Sequence, residues 1–102
     1  MVGEPVYTES QARALLPQVR SVLLQLAVLR RRPTTSAEQA NAMALLEHLT
    51  SLGIVVRDLE AGLVDFPTVR DGEPAWLCWR LDDPDLAWWH TTREGYASRR
   101  PL

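Results

Sequence analysis

The residues best suited to chemistry lie in the second half of this 102-residue chain. Asp65 stands in the apolar run 63–66, where a carboxylate is costly unless it is paired. His90 follows two tryptophans, and imidazole is the side chain that most readily exchanges protons near neutral pH. Asp65 and His90 are therefore the candidate catalytic residues, and proton transfer is the chemistry that they could perform.

Both residues also have a structural interpretation, which the sequence favours. Asp65 would pair with Arg57, Arg80 or Arg99 and so hold the sheet to the C-terminal tail. His90, a single histidine beside two tryptophans, would be packed and hydrogen-bonded. Substitutions should separate the two interpretations, because a purely structural residue mainly affects the melting temperature.

Five further residues are candidates for binding a small organic ligand. Trp76 and Trp89 would form the walls of an apolar pocket. Arg80 or Arg99 would hold an anionic group through forked hydrogen bonds. Cys78 becomes reactive only in an electropositive, partly open setting, so a packed thiol is the favoured interpretation.

The motifs expected of a metal or cofactor site do not occur in the sequence. A metal site would require convergence of His90 with Asp65, Glu94 or His48, and there is no H-E-x-x-H pattern. There is also no glycine pattern for a phosphate loop or a dinucleotide. We therefore expect neither a metal nor a cofactor.

The composition is that of an ordinary globular domain, with 46% apolar and 24% charged residues and a net charge of −2. Positions 58–85 hold eight acidic residues and two arginines, a local charge of −6 that repels nucleic acid. Residues 1–5 have no secretion pattern, and the longest uncharged apolar stretch is nine residues, too short to span a membrane. The single cysteine excludes an internal disulfide framework, so we expect a cytoplasmic protein.

The first predicted element is a helix over about residues 9–31. Apolar residues recur there at helical spacing. Thr8 followed by Gln11 has the spacing of a capping box. Pro17 lacks the N–H that a helix interior needs, so it predicts a kink or a later start.

A second helix follows over about residues 36–52. The connection at 33–35 is short, which predicts that the two helices form an antiparallel hairpin. Ser36 followed by Gln39 has the spacing of a second capping box, and Gly53 stands where a helix stop belongs.

From residue 54 the pattern changes to short strands. Pro67 ends the second apolar run, Asp71-Gly72 is a two-residue hairpin pattern, and 82–85 is a turn. We therefore predict one α+β domain over residues 1–102. A helical hairpin at about 9–52 precedes a small, three- to four-stranded antiparallel sheet at about 54–91 and a tail at 92–102.

The two turns predict which side chains share a face of the sheet. If 71–72 is the whole first loop, Asp65 lies opposite Cys78. If the acidic turn is a four-residue loop, Trp89 also lies opposite Cys78, whereas His90 lies on the face packed against the helices. An outer face with indoles beside charges needs a cover, which the tail, a second subunit or a ligand could supply.

The same stretches resemble a family of small bacterial proteins. Gly62-Leu63-Val64-Asp65-Phe66-Pro67, then 77–81, then Trp89-His90 are similar to the domain-of-unknown-function family 2203. The opening Tyr7-Thr8 and the closing Gly95-Tyr96-Ala97 fit its pattern as well. The resemblance implies a helical hairpin with a small sheet and supplies no activity.

Two functions follow as hypotheses from these observations. The first is a non-enzymatic interaction module that forms a homodimer, with acidic turns pairing with the basic tail across the interface. The alternative is a small enzyme or ligand-binding protein for a small organic, anionic substrate. In that alternative Asp65 and His90 act in a tryptophan-lined pocket.

Overall fold

The computed structural model describes residues 6–31 and 34–102, in which two helices precede a five-stranded antiparallel sheet. Residues 1–5 and 32–33, which include the first residue of the predicted connection at 33–35, lie outside the described residues. The strands are hydrogen-bonded in chain order, so the predicted α+β class and meander are confirmed. The elements are α1 Glu9–Arg30, α2 Ser36–Ser51, β1 Val55–Asp58, β2 Leu63–Arg70, β3 Glu73–Arg80, β4 Trp88–Thr91 and β5 Arg100–Pro101.

Helix α1 supplies much of the core. The capping box of Thr8 and Gln11 is present, and the helix continues through Pro17 without a later start. Its apolar stripe is buried together with the inner face of the sheet. By length and hydropathy alone α1 could cross a membrane, but a buried core helix meets the same criteria. The buried residues of α1 are Ala12, Leu16, Val19, Val22, Leu23 and Leu26.

Helix α2 begins with a different capping box from the predicted one. The cap is Thr35, whose extended backbone lets its hydroxyl accept from the Glu38 N–H, while the Glu38 side chain accepts from the Thr35 N–H. Gln39 instead donates its backbone N–H to the Thr35 carbonyl in the ordinary helical way. The predicted Ser36–Gln39 cap is therefore wrong by one residue, because both pairs have the required spacing.

The β2–β3 hairpin has the predicted register. Asp71 and Gly72 both have positive φ, at 53° and 78°, as a type I′ turn requires, and Asp65 lies opposite Cys78. The prediction that Pro67 ends the strand is wrong. Pro67 lies beyond the paired part of β1, and its carbonyl accepts from the Tyr7 N–H at 2.7 Å. Because the N and O of one strand residue point to the same edge, the missing N–H costs no bond to β3.

The predicted β3–β4 register is wrong by one residue. The connection is not a four-residue loop but the whole of 81–87. Asp83 organises it: its carboxylate accepts from the Arg80 N–H at 3.0 Å, and its own N–H donates to the Arg80 carbonyl. The pairing that results is Cys78 with Trp88 and Trp76 with His90.

This shift places three residues of β4 on the face opposite to the predicted one, so the predicted position of His90 against the helices is wrong. His90 and Trp88 lie on the outer face with Asp65 and Cys78. Trp89 pairs with Leu77 and is partly buried against the core, so its predicted place beside Cys78 is wrong.

The tail adds a fifth strand that the sequence did not predict. Pro101 pairs with Trp88, and the Leu102 N–H donates to the Ala87 carbonyl at 2.9 Å. A 3₁₀ turn at Tyr96–Ser98 precedes this strand. Between the turn and the strand, the Arg99 guanidinium lies 4.7 Å from the Trp88 ring centroid, so the tail covers this end of the outer face.

Gly62 lies where the β1–β2 turn closely contacts the residue that follows β3, and a substitution there tests this contact. Its φ is +68°, and an added Cβ would lie 2.6 Å from the Leu81 Cβ. We expect Gly62→Ala to lower the free energy of unfolding by roughly 2–4 kcal/mol, through a strained backbone and overpacking. Urea denaturation measures this loss.

Gly95→Ala is the matched control, because Gly95 has an ordinary φ and open space around its Cβ position. Its effect should stay within about 0.5 kcal/mol. Equal losses in the two variants would contradict the close contact at Gly62.

Candidate functional site

A cavity of about 300 Å³ opens on the outer face of the sheet. Its floor is formed by Asp65 from β2, Cys78 from β3 and His90 from β4, which are 1%, 1% and 4% exposed. The structure thus brings both candidate catalytic residues and one candidate ligand-binding residue to one place. The other lining residues are Arg57, Leu63, Trp76, Thr92, Glu94, Gly95 and Tyr96.

Asp65 is the most constrained group of the floor. Its Oδ2 accepts from Arg57 Nε and lies 2.9 Å from that atom and 2.9 Å from His90 Nε2. Among the three arginines that the sequence offered as partners, the structure selects Arg57, so the ion pair joins β1 to β2 and does not reach the tail. Oδ1 is buried and has no hydrogen-bond partner among the residues that the structure describes. A buried carboxylate oxygen without a donor is costly, which marks it as a place where a ligand can bind.

The hydrogen bonds of His90 constrain its ring. Nδ1 lies 2.8 Å from the Thr91 carbonyl oxygen, which can only accept, so Nδ1 carries a hydrogen. Nε2 faces the Asp65 carboxylate, which also accepts unless it is protonated. A proton or another positive centre is therefore required between Nε2 and Oδ2.

Cys78 is a packed thiol, as the sequence favoured. Burial raises the pKa of the thiol to about 12, and the Asp65 charge adds to the rise. A hydrogen bond from Arg99 and its positive charge oppose that rise. The thiol is therefore protonated at neutral pH and is not an activated nucleophile on its own.

The two candidate anion-binding arginines are occupied elsewhere. Arg99 makes two hydrogen bonds to the Asp83 carboxylate, at 2.9 and 3.3 Å. Arg80 pairs with Asp82 at 3.1 Å. Both guanidiniums lie near the Tyr96 ring, and neither lines the cavity, so an anchoring role in this pocket would fall to Arg57.

The candidate aromatic walls have separate positions. Trp76 lines the cavity, and the Arg57 guanidinium lies 4.8 Å from its ring centroid. Trp89 lies between the guanidiniums of Arg70 and Arg100, at 4.6 and 5.4 Å, on the opposite face. A pocket walled by both tryptophans is therefore not formed.

Comparison with known proteins adds a family and no activity. The family model of the uncharacterised conserved proteins DUF2203 matches residues 27–102. The chain belongs to this family. No curated protein and no solved structure is significantly similar to it. The match begins at residue 27, so the N-terminal part of the resemblance lies outside it.

Sequence reasoning missed several cavity residues of this DUF2203 chain. It named Arg57 only as a partner for Asp65, and it gave Thr92, Gly95 and Tyr96 no place in a site. Simple alternation could not have placed Arg57, because the β1–β2 register shifts between Val56 and Asp58, at this residue. Thr92, Gly95 and Tyr96 line the cavity because the chain turns back after β4, and no periodic pattern in the sequence predicts that turn. The sequence analysis also named Glu94 and His48 as residues that a metal site could use. Glu94 lines the cavity, whereas His48 contacts Gln18 on the helices.

The raised pKa of Cys78 predicts a pH-dependent contribution to stability. The unfolded thiol ionises near 9.0 and the folded one near 12, so the folded state keeps a proton that the unfolded state releases. The contribution of this thiol to the free energy of unfolding is fully present below pH 9.0. It is lost as the pH rises from 9.0 to about 12, by up to about 1.4 kcal/mol per pH unit.

The measurement is urea denaturation of the wild type and of Cys78→Ala on both sides of pH 9.0. The difference in unfolding free energy between the two proteins isolates this thiol from the other groups that titrate in alkali. We expect the advantage of the wild type to shrink as the pH rises. A difference that does not change with pH would contradict the buried, neutral thiol.

Proposed function

We propose that this chain is a ligand-binding domain that takes a small polar organic molecule into the outer-face cavity. One observation carries the proposal: the Asp65 carboxylate lies at the cavity floor, is almost fully buried and has one oxygen without a hydrogen-bond partner. A pocket that combines a few fixed polar groups with apolar walls is the usual form of a small-molecule site.

The lining specifies the chemistry of the ligand. Asp65 Oδ1 requires a donor, such as an amide, amine or hydroxyl group. The half-exposed Arg57 guanidinium and the Thr92 hydroxyl can donate to an acceptor on the same molecule. Leu63 and Trp76 supply an apolar side. Turnover would require Asp65 and His90 to transfer a proton to the bound molecule, which is the enzymatic form of the same proposal.

Gly95→Trp should block this site while leaving its floor intact. Gly95 lines the cavity, its φ is ordinary and a Cβ there meets open space, so the indole can occupy the entrance. We expect the wild type to bind members of a set of small amides, amines and alcohols, starting from acetamide and benzamide. Chemical-shift changes of the backbone amides around His90 report this binding, and Gly95→Trp should abolish them.

Ala97→Trp is the matched control, because Ala97 is an exposed residue of the 3₁₀ turn that follows Gly95 and does not line the cavity. This variant should bind like the wild type. If no compound of the set shifts the amides around His90, or if Gly95→Trp leaves the shifts unchanged, the cavity is not the binding site.

The exposed surface of α1 favours homodimerisation as a second candidate function. Leu24 and Val28 are 49% and 56% exposed and lie one helical turn apart. A shallow cavity of about 230 Å³ extends from Val28 to Asn41 of α2. The proposed occupant is the same helix face of a second copy, in an isologous contact. The tail charges no longer support this interface, because Arg99 pairs with Asp83 of its own chain.

Val28→Glu tests the helix contact. It places a charge in the proposed apolar interface, so the mass measured by sedimentation should fall from dimer to monomer. Val69→Glu is the matched control, because this valine is also 56% exposed and lies on β2. A wild type that stays monomeric up to submillimolar concentration would exclude the dimer.

For both candidate functions the cytoplasm is the proposed location, where a lone thiol stays reduced.

A further inference from the structure

Three metal-ligating side chains from adjacent strands meet at the floor of the cavity. One donor atom from each of Asp65, Cys78 and His90 can be chosen so that all three lie within 4.8 Å of one another, and all three residues are buried. In an occupied tetrahedral zinc site such donors lie roughly 3.3–3.8 Å apart, from the usual bond lengths. A small inward movement of the side chains would therefore close the site around an ion.

The orientation of His90 is that of a metal ligand. Its Nδ1–H donates to the Thr91 carbonyl, and Nε2 is the ring atom that faces the carboxylate. Metal-binding histidines usually donate their second ring N–H to a backbone carbonyl or a carboxylate in this way. His90 Nε2 and Asp65 Oδ2 lie 2.9 Å apart. If neither atom carries a hydrogen, two lone pairs face each other at this distance and require a positive centre nearby.

A proton between Nε2 and Oδ2 would satisfy only part of this cluster. Asp65 Oδ1 would stay buried without a partner among the described residues, and the buried Cys78 thiol beside it would remain neutral. A metal ion uses all three groups at once. Because Arg57 already reaches Oδ2, Oδ1 is the carboxylate atom that is available to the ion.

The donor set indicates the class of ion. Nitrogen, sulfur and oxygen ligands together suit zinc, whereas magnesium and calcium prefer oxygen alone. Asp65 and a deprotonated Cys78 would carry two negative charges, which match a divalent cation. Three protein ligands leave a fourth position, and the cavity is where a water or a ligand atom could fill it.

We propose that Asp65, Cys78 and His90 bind a divalent transition-metal ion of the zinc class, with one coordination position directed to the cavity. The sequence analysis expected no metal because the three residues follow no metal motif. The proposal shares with the proposed function both the cavity and the Asp65 Oδ1 atom, so a bound ion would replace the organic donor at that oxygen. The three protein ligands can hold the ion without an organic molecule.

The test uses the full chain after treatment with a chelator. Zn²⁺ is titrated in competition with a chromophoric chelator, and Co²⁺ is added as a spectroscopic substitute. We expect one ion per chain, and a near-ultraviolet charge-transfer band from a cobalt–thiolate bond. Cys78→Ser should remove that band, and Cys78→Ser and His90→Gln should each weaken zinc binding by roughly tenfold or more. His48→Gln is the matched control and should bind like the wild type, because His48 lies on α2.

A readout in the unaltered chain keeps the test valid if the site variants do not fold. Zn²⁺ should shift the ring nitrogen resonances of His90 and leave those of His48 unchanged. The proposal is overturned if the wild type binds no stoichiometric Zn²⁺. It is also overturned if Co²⁺ gives no thiolate band, or if His48→Gln weakens binding as much as His90→Gln. Binding of the amides and amines by the metal-free chain tests the cavity separately, so the two proposals can fail independently.

Discussion

The contact on which the outer face depends is the one that Asp65 makes with Arg57 and His90. A carboxylate in the middle of a sheet must be paired, and this one draws a guanidinium from β1 and an imidazole from β4 to a single oxygen. Four adjacent strands, β1 to β4, are thereby tied across the face opposite the helices. The cavity lies beside this contact, and residues 92 and 94–96, which follow β4, form part of its wall.

Turn chemistry explains which parts of this arrangement could be predicted. Asp71-Gly72 permits one tight hairpin geometry, so the pairing of Asp65 with Cys78 followed from counting residues. The loop 81–87 is held by Asp83, which bonds to Arg80 and to Arg99 of the tail. A loop whose shape depends on a residue far along the chain cannot be assigned from its own sequence. The one-residue error there moved His90 to the wrong face and hid the site.

Arginine accounts for the outer aromatic surface without a second subunit. On the outer face, the guanidinium of Arg57 lies over Trp76 and that of Arg99 lies over Trp88. On the opposite face, Arg70 and Arg100 lie about Trp89. A planar guanidinium can stack on an indole and still pair with a carboxylate, which lysine cannot do in the same way. The aromatic face that suggested an interface at the sequence level is therefore covered largely by its own chain.

The buried Asp65 oxygen also sets the relation between stability and function in this fold. An unpartnered carboxylate oxygen is costly in the folded state, and the proposed ligand or ion would offset that cost by binding the folded state alone. The sheet holds the three floor residues in place through strand pairing, so little ordering is needed when a partner arrives. If Asp65 served stability alone, an apolar residue paired with Val55 and Cys78 would cost less than a carboxylate with one oxygen unused. This cost is the physical reason to propose that the carboxylate binds a ligand or an ion.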